Sequence, residues 1–214
     1  MPARIVIVGA GAHGAVVADI LQRAREAGAI AAPIGFVDDT PERRGTSVLG
    51  LDILGPIAAL AQHGHDAVIV AVGDNRARRV LTERLLAGGE VLATAVHPFA
   101  CVAPSATLGA GTVVCAGGLV NPRAAIGRGV IVNTKASIDH DTIVGDFAHV
   151  SSGATVGGQV RIGSETLVAV GATLVSGLIV GARTVIGAGA VVVDPIPDDV
   201  VAFGVPARIR SDAR

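Results

Sequence analysis

The second half of the chain carries an aliphatic residue at every sixth position, from Val102 to Val192, without a miss. Such a fixed short period is the sequence signature of a solenoid. Six residues per flat face and three faces per coil predict a left-handed parallel β-helix of hexapeptide repeats, with the aliphatic side chains pointing inward. The repeated positions are Val102, Leu108, Val114, Val120, Ile126, Val132, Ile138, Val144, Val150, Val156, Ile162, Val168, Leu174, Val180, Ile186 and Val192.

The first part of the chain has a different pattern, in which short apolar runs alternate with segments of helical spacing. Arg4–Val8 is predicted as a buried strand, and the glycine-rich segment Gly9–Gly14 follows at once. Strand, glycine-rich turn and helix in this order predict the start of a doubly wound α/β unit. The helix is predicted at Ala15–Arg25, with one apolar side formed by Val16, Val17, Ile20, Leu21 and Ala24.

The same reasoning continues to the start of the repeats. The further predicted elements are strands at Ile34–Val37, Asp66–Val72 and Leu92–Val96 and helices at Pro56–Gln62 and Ala77–Ala87. We therefore expect an α/β half-Rossmann domain at residues 1–97. The all-β helix is expected at residues 98–194, and a C-terminal cap or tail at residues 195–214.

Composition agrees with the β-helix and argues against several classes of partner. Aromatic residues make up only 2% of the chain, and the narrow interior of a β-helix takes small and β-branched residues instead. The net charge of −1 and the absence of a basic run predict no nucleic-acid partner. No apolar stretch reaches the ~18 residues of a membrane span, and no signal peptide is predicted. A cytoplasmic protein without membrane insertion is expected.

The glycine-rich segment fits the string G-x-G-x-x-G, which read alone is typical of an NAD-dependent dehydrogenase. Only about 95 residues precede the repeats, which is too few for the six-stranded unit that binds a whole dinucleotide. Backbone N–H groups at a helix N-terminus bind phosphate in general. A nucleotide or nucleotide-sugar site is therefore predicted, with Gly11, His13 and Gly14 as contacts. A tight turn without any ligand is the alternative.

Polar residues also follow the second and third predicted strands, at the sheet edge where ligands of open α/β sheets bind. Asp38 and Asp39 are predicted to accept hydrogen bonds from ribose or sugar hydroxyls. Gly73, Asn75 and Arg76 are predicted to contact phosphate or base. The alternative role, for Asp74 or Asn75, is to cap the next helix.

Within the repeats, the segment from Asn133 to Asp141 is the most polar, and His149 follows nine residues after His140. Histidine titrates near neutral pH, so His140 is predicted as a general base. Asp141 or Asp139 would hold its imidazole, and His149 with a backbone N–H would steady the acyl oxygen. A groove on the outside of a prism needs a second wall, which predicts a homotrimer.

Metal binding is the competing interpretation of these histidines. Trimeric β-helix carbonic anhydrases hold zinc between three histidines, whereas the repeats of this chain supply two. Cys101 and Cys115 also fit no metal-ligand spacing. We therefore predict that the chain has no metal site.

On these residues the chain resembles the bacterial sugar O-/N-acyltransferases of the sialic-acid and bacillosamine type. The resemblance rests on Gly9–Gly14, Asp38–Asp39, Val72–Arg76, Asn133–Val150 and the closing Gly204–Arg208. It implies that the N-terminal domain binds a nucleotide-linked amino sugar. It also implies that the β-helix binds acetyl-CoA as co-substrate between the subunits of a homotrimer.

The resemblance implies roles for single residues as well. His140 would deprotonate the acceptor with support from Asp141, and His149 would contact the acetyl group. The CoA cleft would be lined by Gly158, Val170 and Ala188, and Asn133 would contact the substrate. Two positions depart from parts of the family: Ala188 stands where Gly is frequent, and Asp141 stands where some members carry Glu.

Together these observations predict acetyl transfer from acetyl-CoA to the amino group of a nucleotide-linked deoxy-amino sugar. O-acetylation of a sugar hydroxyl, as on sialic acid, is the alternative within the same chemistry. A non-catalytic sugar-nucleotide scaffold is the alternative from another class, and an NAD-dependent oxidoreductase is a third.

Overall fold

The computed structural model describes residues 3–212, and the chain divides into two compact units with the boundary between Pro98 and Phe99. The first unit is an α/β domain. Its strands are β1 (Ala3–Val8), β2 (Ala31–Val37), β3 (Ser47–Val48), β4 (Leu51–Gly55), β5 (Ala67–Val70) and β6 (Ala95–Val96). The first five form one sheet in the order β3-β4-β2-β1-β5. Its helices are α1 (Ala12–Glu26), α2 (Asn75–Ala87) and the 3₁₀ helices Pro41–Arg43 and Ile57–Gln62.

Strand β1 lies inside this sheet, between β2 and β5, and it is apolar on both faces. Ile5 to Val8 are all buried, and β1 pairs in parallel with β2 on one side and β5 on the other. Helix α1 packs its apolar side against the sheet, with Val17, Ile20 and Leu21 buried. The predicted order of strand, tight turn and helix at the start of the α/β unit is therefore confirmed. Within residues 3–212, no helix is long and apolar enough to cross a membrane.

Four details of the α/β unit differ from the predictions. Helix α1 begins at Ala12 rather than Ala15, because the turn is complete within the few residues after β1. Val16, predicted on the buried side, is 39% exposed because α1 packs on the side that contains Gly14, Val17, Ala18 and Leu21. Of the predicted strand Leu92–Val96, only Leu92 joins the five-stranded sheet, through an isolated bridge to Val68. The short antiparallel pair β3–β4 was not predicted, since glycine and polar residues interrupt its apolar pattern.

The second unit is a parallel β-helix whose two-residue strands stack on three faces. Face 1 contains Cys101–Val102, Leu119–Val120, Ser137–Ile138, Thr155–Val156, Thr173–Leu174 and Val191–Val192. Face 2 contains Thr107–Leu108, Ala125–Ile126, Ile143–Val144, Arg161–Ile162 and Ile179–Val180. Face 3 contains Val113–Val114, Ile131–Val132, His149–Val150, Leu167–Val168 and Val185–Ile186, and it continues into Val200–Gly204 and Ala207–Asp212.

The predicted inward positions form the core of this prism. Fourteen of the sixteen are buried, and partners on neighbouring coils are 18 residues apart, as in the pairing of Val120 with Ile138. The two exceptions, Val102 and Leu108, are partly exposed because their strands lie at the edges of faces 1 and 2. The predicted inward orientation of the repeat is therefore confirmed.

The corners of the prism repeat with the same period. Every sixth residue from Gly111 to Gly189 has a positive φ, including Arg123 (61°) and Asp141 (58°). Glycine adopts this left-handed conformation readily, and aspartate tolerates it better than most other residues. The corner residues therefore form fixed columns, in which residues 18 positions apart lie above one another.

Leu174→Ala should destabilise the β-helix by about 2–5 kcal/mol, because Leu174 is 1% exposed and its removal leaves a cavity between coils. Leu119→Ala is the matched control, since Leu119 faces outward and is 42% exposed. Urea-induced unfolding at a fixed protein concentration measures both changes. Equal destabilisation by the two variants would contradict the inward orientation.

Candidate active site

The glycine-rich turn after β1 is held in place by the carboxylate of Asp38. Asp38 Oδ2 accepts a hydrogen bond from Ala10 N (2.7 Å), and Oδ1 accepts one from Thr40 N (2.8 Å). Burial by itself would raise the pKa of Asp38, but hydrogen bonds from Thr40 and Ala10 and the nearby charge of Arg43 lower it overall. Arg43 also donates to the carbonyl of Ala10. Both oxygens of Asp38 therefore bond to backbone next to the predicted ligand.

Asp39 has a different environment from its neighbour. It is exposed, and its Oδ1 accepts a hydrogen bond from Ile57 N (2.8 Å) at the start of the 3₁₀ helix. Its Oδ2 has no hydrogen bond to any residue in the range 3–212. Of the two aspartates predicted to accept from hydroxyls, Asp39 is the one that keeps an available oxygen.

The N-terminus of α1 points its backbone donors away from the helix, as the predicted phosphate site requires. Gly11 is the N-cap residue without a side-chain cap, and the first turn of α1 contains no acidic residue. The first N–H groups of a helix, here those of Ala12, His13 and Gly14, have no intrahelical partner and carry partial positive charge. Gly14 is needed for this turn, because a Cβ there would lie 2.3 Å from the carbonyl oxygen of Gly9.

His13 lies in this first turn, and the surrounding residues keep its imidazole neutral. Burial, followed by the charge of Arg78, lowers the pKa of His13 to about 4. Its Nε2 is buried and has no hydrogen-bond partner among residues 3–212. Buried polar atoms in proteins are nearly always paired. An unpaired nitrogen at the predicted nucleotide site is therefore a position that a ligand group can complete.

The loop between β5 and α2 is organised by a residue that the sequence analysis did not select. Arg78 is 1% exposed and donates to the carbonyls of Val72 (3.0 Å) and Gly73 (2.9 Å) and to Asn75 Oδ1 (2.7 Å). The sequence contains one sign of this role, because Arg78 shares a side of α2 with the buried residues Thr82 and Leu85. Arg78 fixes the backbone of the loop and places a buried cation beside the predicted ligand site.

Two other polar residues of this loop have different roles, since one caps helix α2 and the other has no hydrogen bond among the described residues. Asp74 is the N-cap of α2 and accepts from Ala77 N (2.7 Å), as the capping alternative proposed. Arg76 is exposed, and no hydrogen bond or ion pair involves it among the described residues. Its guanidinium is therefore available to a phosphate or a base.

In the β-helix, His140 stands at the corner that follows face 1. Its Nδ1 lies 2.8 Å from Asp141 Oδ2, and its side chain is 50% exposed. Asp139 does not contact the imidazole but accepts from the backbone N–H of His140 (2.7 Å) and from Asn121 Nδ2 (2.9 Å). Of the two aspartates that the sequence offered as partners of the ring, the structure pairs Asp141 with it.

Residues from the adjacent coils complete the surroundings of this histidine. Arg123, one coil earlier, donates through Nε to Asp141 Oδ1 (2.6 Å) and through Nη2 to Oδ2 (2.8 Å). The hydrogen bonds from Arg123 and then from His140 hold the pKa of Asp141 well below its usual range. One coil later, Gly158 lies against the ring, since a Cβ at this position would be 2.7 Å from His140 Nε2. Because Asp141 stays ionised, it favours the proton on Nδ1 and leaves Nε2 without a proton, as the predicted general base requires.

The second predicted histidine belongs to a different side of the prism. His149 is on face 3, where its Nε2 lies 3.0 Å from Asn133 Nδ2. The amide oxygen of Asn133 accepts from Thr134 N (2.7 Å). The amide therefore donates to His149 Nε2, which makes that nitrogen an acceptor and places the ring proton on Nδ1.

The predicted site residues of the β-helix therefore fall into two groups. The corner after face 1 holds His140, Asp141 and Gly158, which we call the base corner. The corner after face 3 holds Val170 and Ala188, both exposed and stacked one coil apart through a hydrogen bond from Gly189 N to Val170 O (2.9 Å). We call this corner, with the adjacent Asn133 and His149, the opposite corner. Within one chain, face 2 separates His140 from His149. Residues 3–212 contain no cluster of three or more metal-ligating side chains.

Comparison with known proteins relates both units to one group. The PglD N-terminal domain family matches residues 4–85. The acetyltransferase domain of PglB from Neisseria gonorrhoeae FA1090 is 38% identical with a TM-score of 0.90, over 97% of this chain and 99% of that one. PerB from Caulobacter crescentus, solved with CoA and GDP-perosamine, is 37% identical with a TM-score of 0.90, over 97% of each chain. The chain belongs to the bacterial sugar acyltransferases of the sialic-acid and bacillosamine type.

A curated member of this acyltransferase family has a shorter match. UDP-N-acetylbacillosamine N-acetyltransferase from Bacillus subtilis (strain 168) is 46% identical over 48 residues, which is 22% of this chain and 22% of that protein. The alignment thus spans about a fifth of the enzyme's length. The full-length structural matches confirm the predicted fold class, a half-Rossmann unit followed by a left-handed β-helix.

Gly158→Ala should displace the imidazole of His140 and lower turnover in the predicted acetyl transfer by about 10- to 100-fold, because misplaced groups lose alignment. The φ of Gly158 is not positive and the ring is half exposed, so the fold itself should accept the methyl group. Thiol release measures activity, and thermal unfolding should be unchanged. Wild-type activity in this variant would show that the ring does not need this space.

His13→Asn should weaken the loss of stability at acid pH. The pKa of His13 is about 4 in the folded chain and about 6.5 when unfolded, so the unfolded state binds a proton first as the pH falls through 6.5 towards 4. Wild-type stability should therefore decrease over this range, and the variant should lose less. Urea unfolding at pH 7 and pH 5 measures the difference, and identical pH dependence in both proteins would exclude a buried neutral imidazole.

Proposed function

We propose that the protein transfers the acetyl group of acetyl-CoA to the amino group of a nucleotide-linked deoxy-amino sugar. The observation that carries this proposal is the likeness over 97% of the chain to PerB, whose structure contains CoA and GDP-perosamine. The PglB acetyltransferase domain has also been solved with acetyl coenzyme A, and this chain matches it at 38% identity. Both co-substrates of the proposed reaction are therefore bound by similar proteins.

The α/β unit supplies features suited to the nucleotide part of the substrate. The N-terminus of α1 attracts the negative charge of a diphosphate, and the absence of acidic residues in its first turn avoids repulsion. Arg76 offers a free cation, and Asp39 offers a carboxylate oxygen to hydroxyl groups. The unpaired Nε2 of His13 offers one neutral hydrogen-bonding group. We assign the remaining predicted contacts, Gly11, Gly73 and Asn75, to the same substrate.

The base corner supplies the proton chemistry. In the proposed reaction the sugar amine attacks the thioester carbonyl, and His140 Nε2 takes the proton that the nitrogen loses. The carbon–sulfur bond then breaks, and the proton passes to the leaving thiolate, so that CoA thiol and an amide are formed. Asp141, bonded to Nδ1, stabilises the imidazolium that exists between the two transfers. Structures of the perosamine N-acetyltransferase with one histidine replaced by asparagine or alanine are also similar to this chain.

We propose a homotrimer because the base corner and the opposite corner are separated within one chain. His149, Val170 and Ala188, assigned to the acetyl group and CoA, lie one face away from His140. A rigid prism cannot bend to bring two corners together. A cyclic assembly of three chains places the base corner of one subunit beside the opposite corner of the next and completes three equivalent clefts.

We propose the cytoplasm as the location. Cys101 is exposed and Cys115 is buried, and neither forms a disulfide. Free thiols are the rule in reducing compartments, whereas secreted proteins favour disulfides. CoA thioesters and nucleotide sugars are also cytoplasmic metabolites.

O-acetylation remains the second candidate, because a base at His140 would serve a hydroxyl as well as an amine. The two reactions are separated by their acceptors. A panel of GDP-, UDP- and dTDP-linked 4-amino sugars, with the matching 4-hydroxy sugars, is assayed by thiol release from acetyl-CoA. Turnover confined to the amino sugars supports the proposal, and turnover confined to hydroxy sugars replaces it. Binding without thiol release would indicate a non-catalytic scaffold.

His140→Ala should reduce turnover by about 100- to 10,000-fold, the usual contribution of a positioned base. The side chain is half exposed, so the thermal unfolding temperature and the molecular mass in solution should not change. The variant is compared with wild type in the same thiol assay at saturating acetyl-CoA. Retention of wild-type turnover by a correctly folded variant would remove His140 from the mechanism.

A further inference from the structure

Arg123 contacts the base corner without touching the imidazole. It lies in the preceding coil, 18 residues before Asp141, and both residues have a positive φ. Its two hydrogen bonds to Asp141 use both carboxylate oxygens, at 2.6 and 2.8 Å. Oδ2 is shared, because it also lies 2.8 Å from His140 Nδ1. A continuous chain of contacts therefore runs from the guanidinium to the proposed base.

We infer that Arg123 is a positioning residue for the proposed reaction, which acts on His140 through Asp141. The inference rests on the proposed function. A planar guanidinium bound to both carboxylate oxygens fixes the plane of the carboxylate as well as its place. The fixed Oδ2 then sets the direction of the imidazole and keeps its proton on Nδ1. Nε2 is left beside Gly158 of the next coil, where it would deprotonate the amine.

This geometry matters because the base corner has little other support. His140 and Asp141 are adjacent residues in an exposed turn, and the His140 side chain is 50% exposed. Without Arg123, the carboxylate of Asp141 could rotate towards solvent and release the ring. Gly158 of the next coil lies close to the ring and limits its space, but no hydrogen bond joins Gly158 to the imidazole among the described residues.

The chain contains a matched control pair. Arg183 donates to both oxygens of Asp199 at 2.6 Å, both residues have a positive φ, and Arg183 is 51% exposed compared with 65% for Arg123. No histidine contacts this second pair among the hydrogen bonds and ion pairs of the described residues. Exposed ion pairs contribute little to stability. Loss of either arginine should therefore have the same small effect on unfolding, and only one should affect turnover.

The test compares Arg123→Gln, Arg123→Lys and Arg183→Gln in the thiol-release assay across pH 5.5–9. We expect Arg123→Gln to lose about 10- to 100-fold in kcat/KM. Arg123→Lys should recover part of the rate, since it restores the charge but not the two-point contact. Arg183→Gln should match wild type, and all three should keep the wild-type unfolding temperature. Equal rates and pH profiles for Arg123→Gln and Arg183→Gln would overturn the inference.

A second readout does not depend on turnover. Nitrogen-15 NMR of the histidine rings reports which nitrogen carries the proton, and the His140 signals are assigned by their loss in His140→Ala. We expect Nδ1 protonation in wild type and Arg183→Gln, and a mixture of tautomers in Arg123→Gln. If wild type turns over no acceptor, the proposed function fails, while the ring signals still test Arg123. An unchanged tautomer in Arg123→Gln would overturn the positioning role.

Discussion

Backbone hydrogen bonds between successive coils, in which paired strand residues are 18 positions apart, hold the β-helix in one register, and the candidate site depends on that register. The contacts of the base corner are made between successive coils: Arg123 to Asp141 from below, and Gly158 against His140 from above. A single insertion between residues 123 and 158 would place different side chains in this column. The uninterrupted period therefore preserves a three-coil site as well as an aliphatic core.

The sequence predicted those features that depend on period and chain order. The inward residues, the strand–turn–helix start of the α/β unit and the family followed from patterns that one chain contains. The sequence also indicated that His140 has two candidate carboxylate partners, because neighbours in sequence must lie close. The choice between Asp139 and Asp141 depends on the backbone conformation of the turn, which the sequence does not specify. Asp141 has a left-handed φ of 58°, and its carboxylate contacts the ring, whereas that of Asp139 bonds to Asn121 and the backbone.

Residues that act through contacts across the chain were not predictable in the same way. Arg123 is one of several corner arginines, and only its column, directly below Asp141, distinguishes it from Arg183. Arg78 lies on the buried side of α2 and is only 1% exposed. Arginine usually prefers solvent, so the sequence gives no reason to expect this burial. Its burial is compensated by carbonyl oxygens of the loop before α2. That compensation depends on the loop backbone, for which the sequence has no simple pattern.

Rigidity explains why the proposed chemistry needs more than one chain. A β-helix of two-residue strands has no loop that could close over a substrate, and its interior is filled by aliphatic side chains. Reactive groups must therefore stand at corners, where each coil offers few positions and a left-handed residue is required at one of them. Asp141 meets that backbone requirement while also holding His140. The residues proposed to bind the acyl group lie elsewhere on the prism, so a second copy of the chain is the simplest physical means of bringing the two halves of the proposed reaction together.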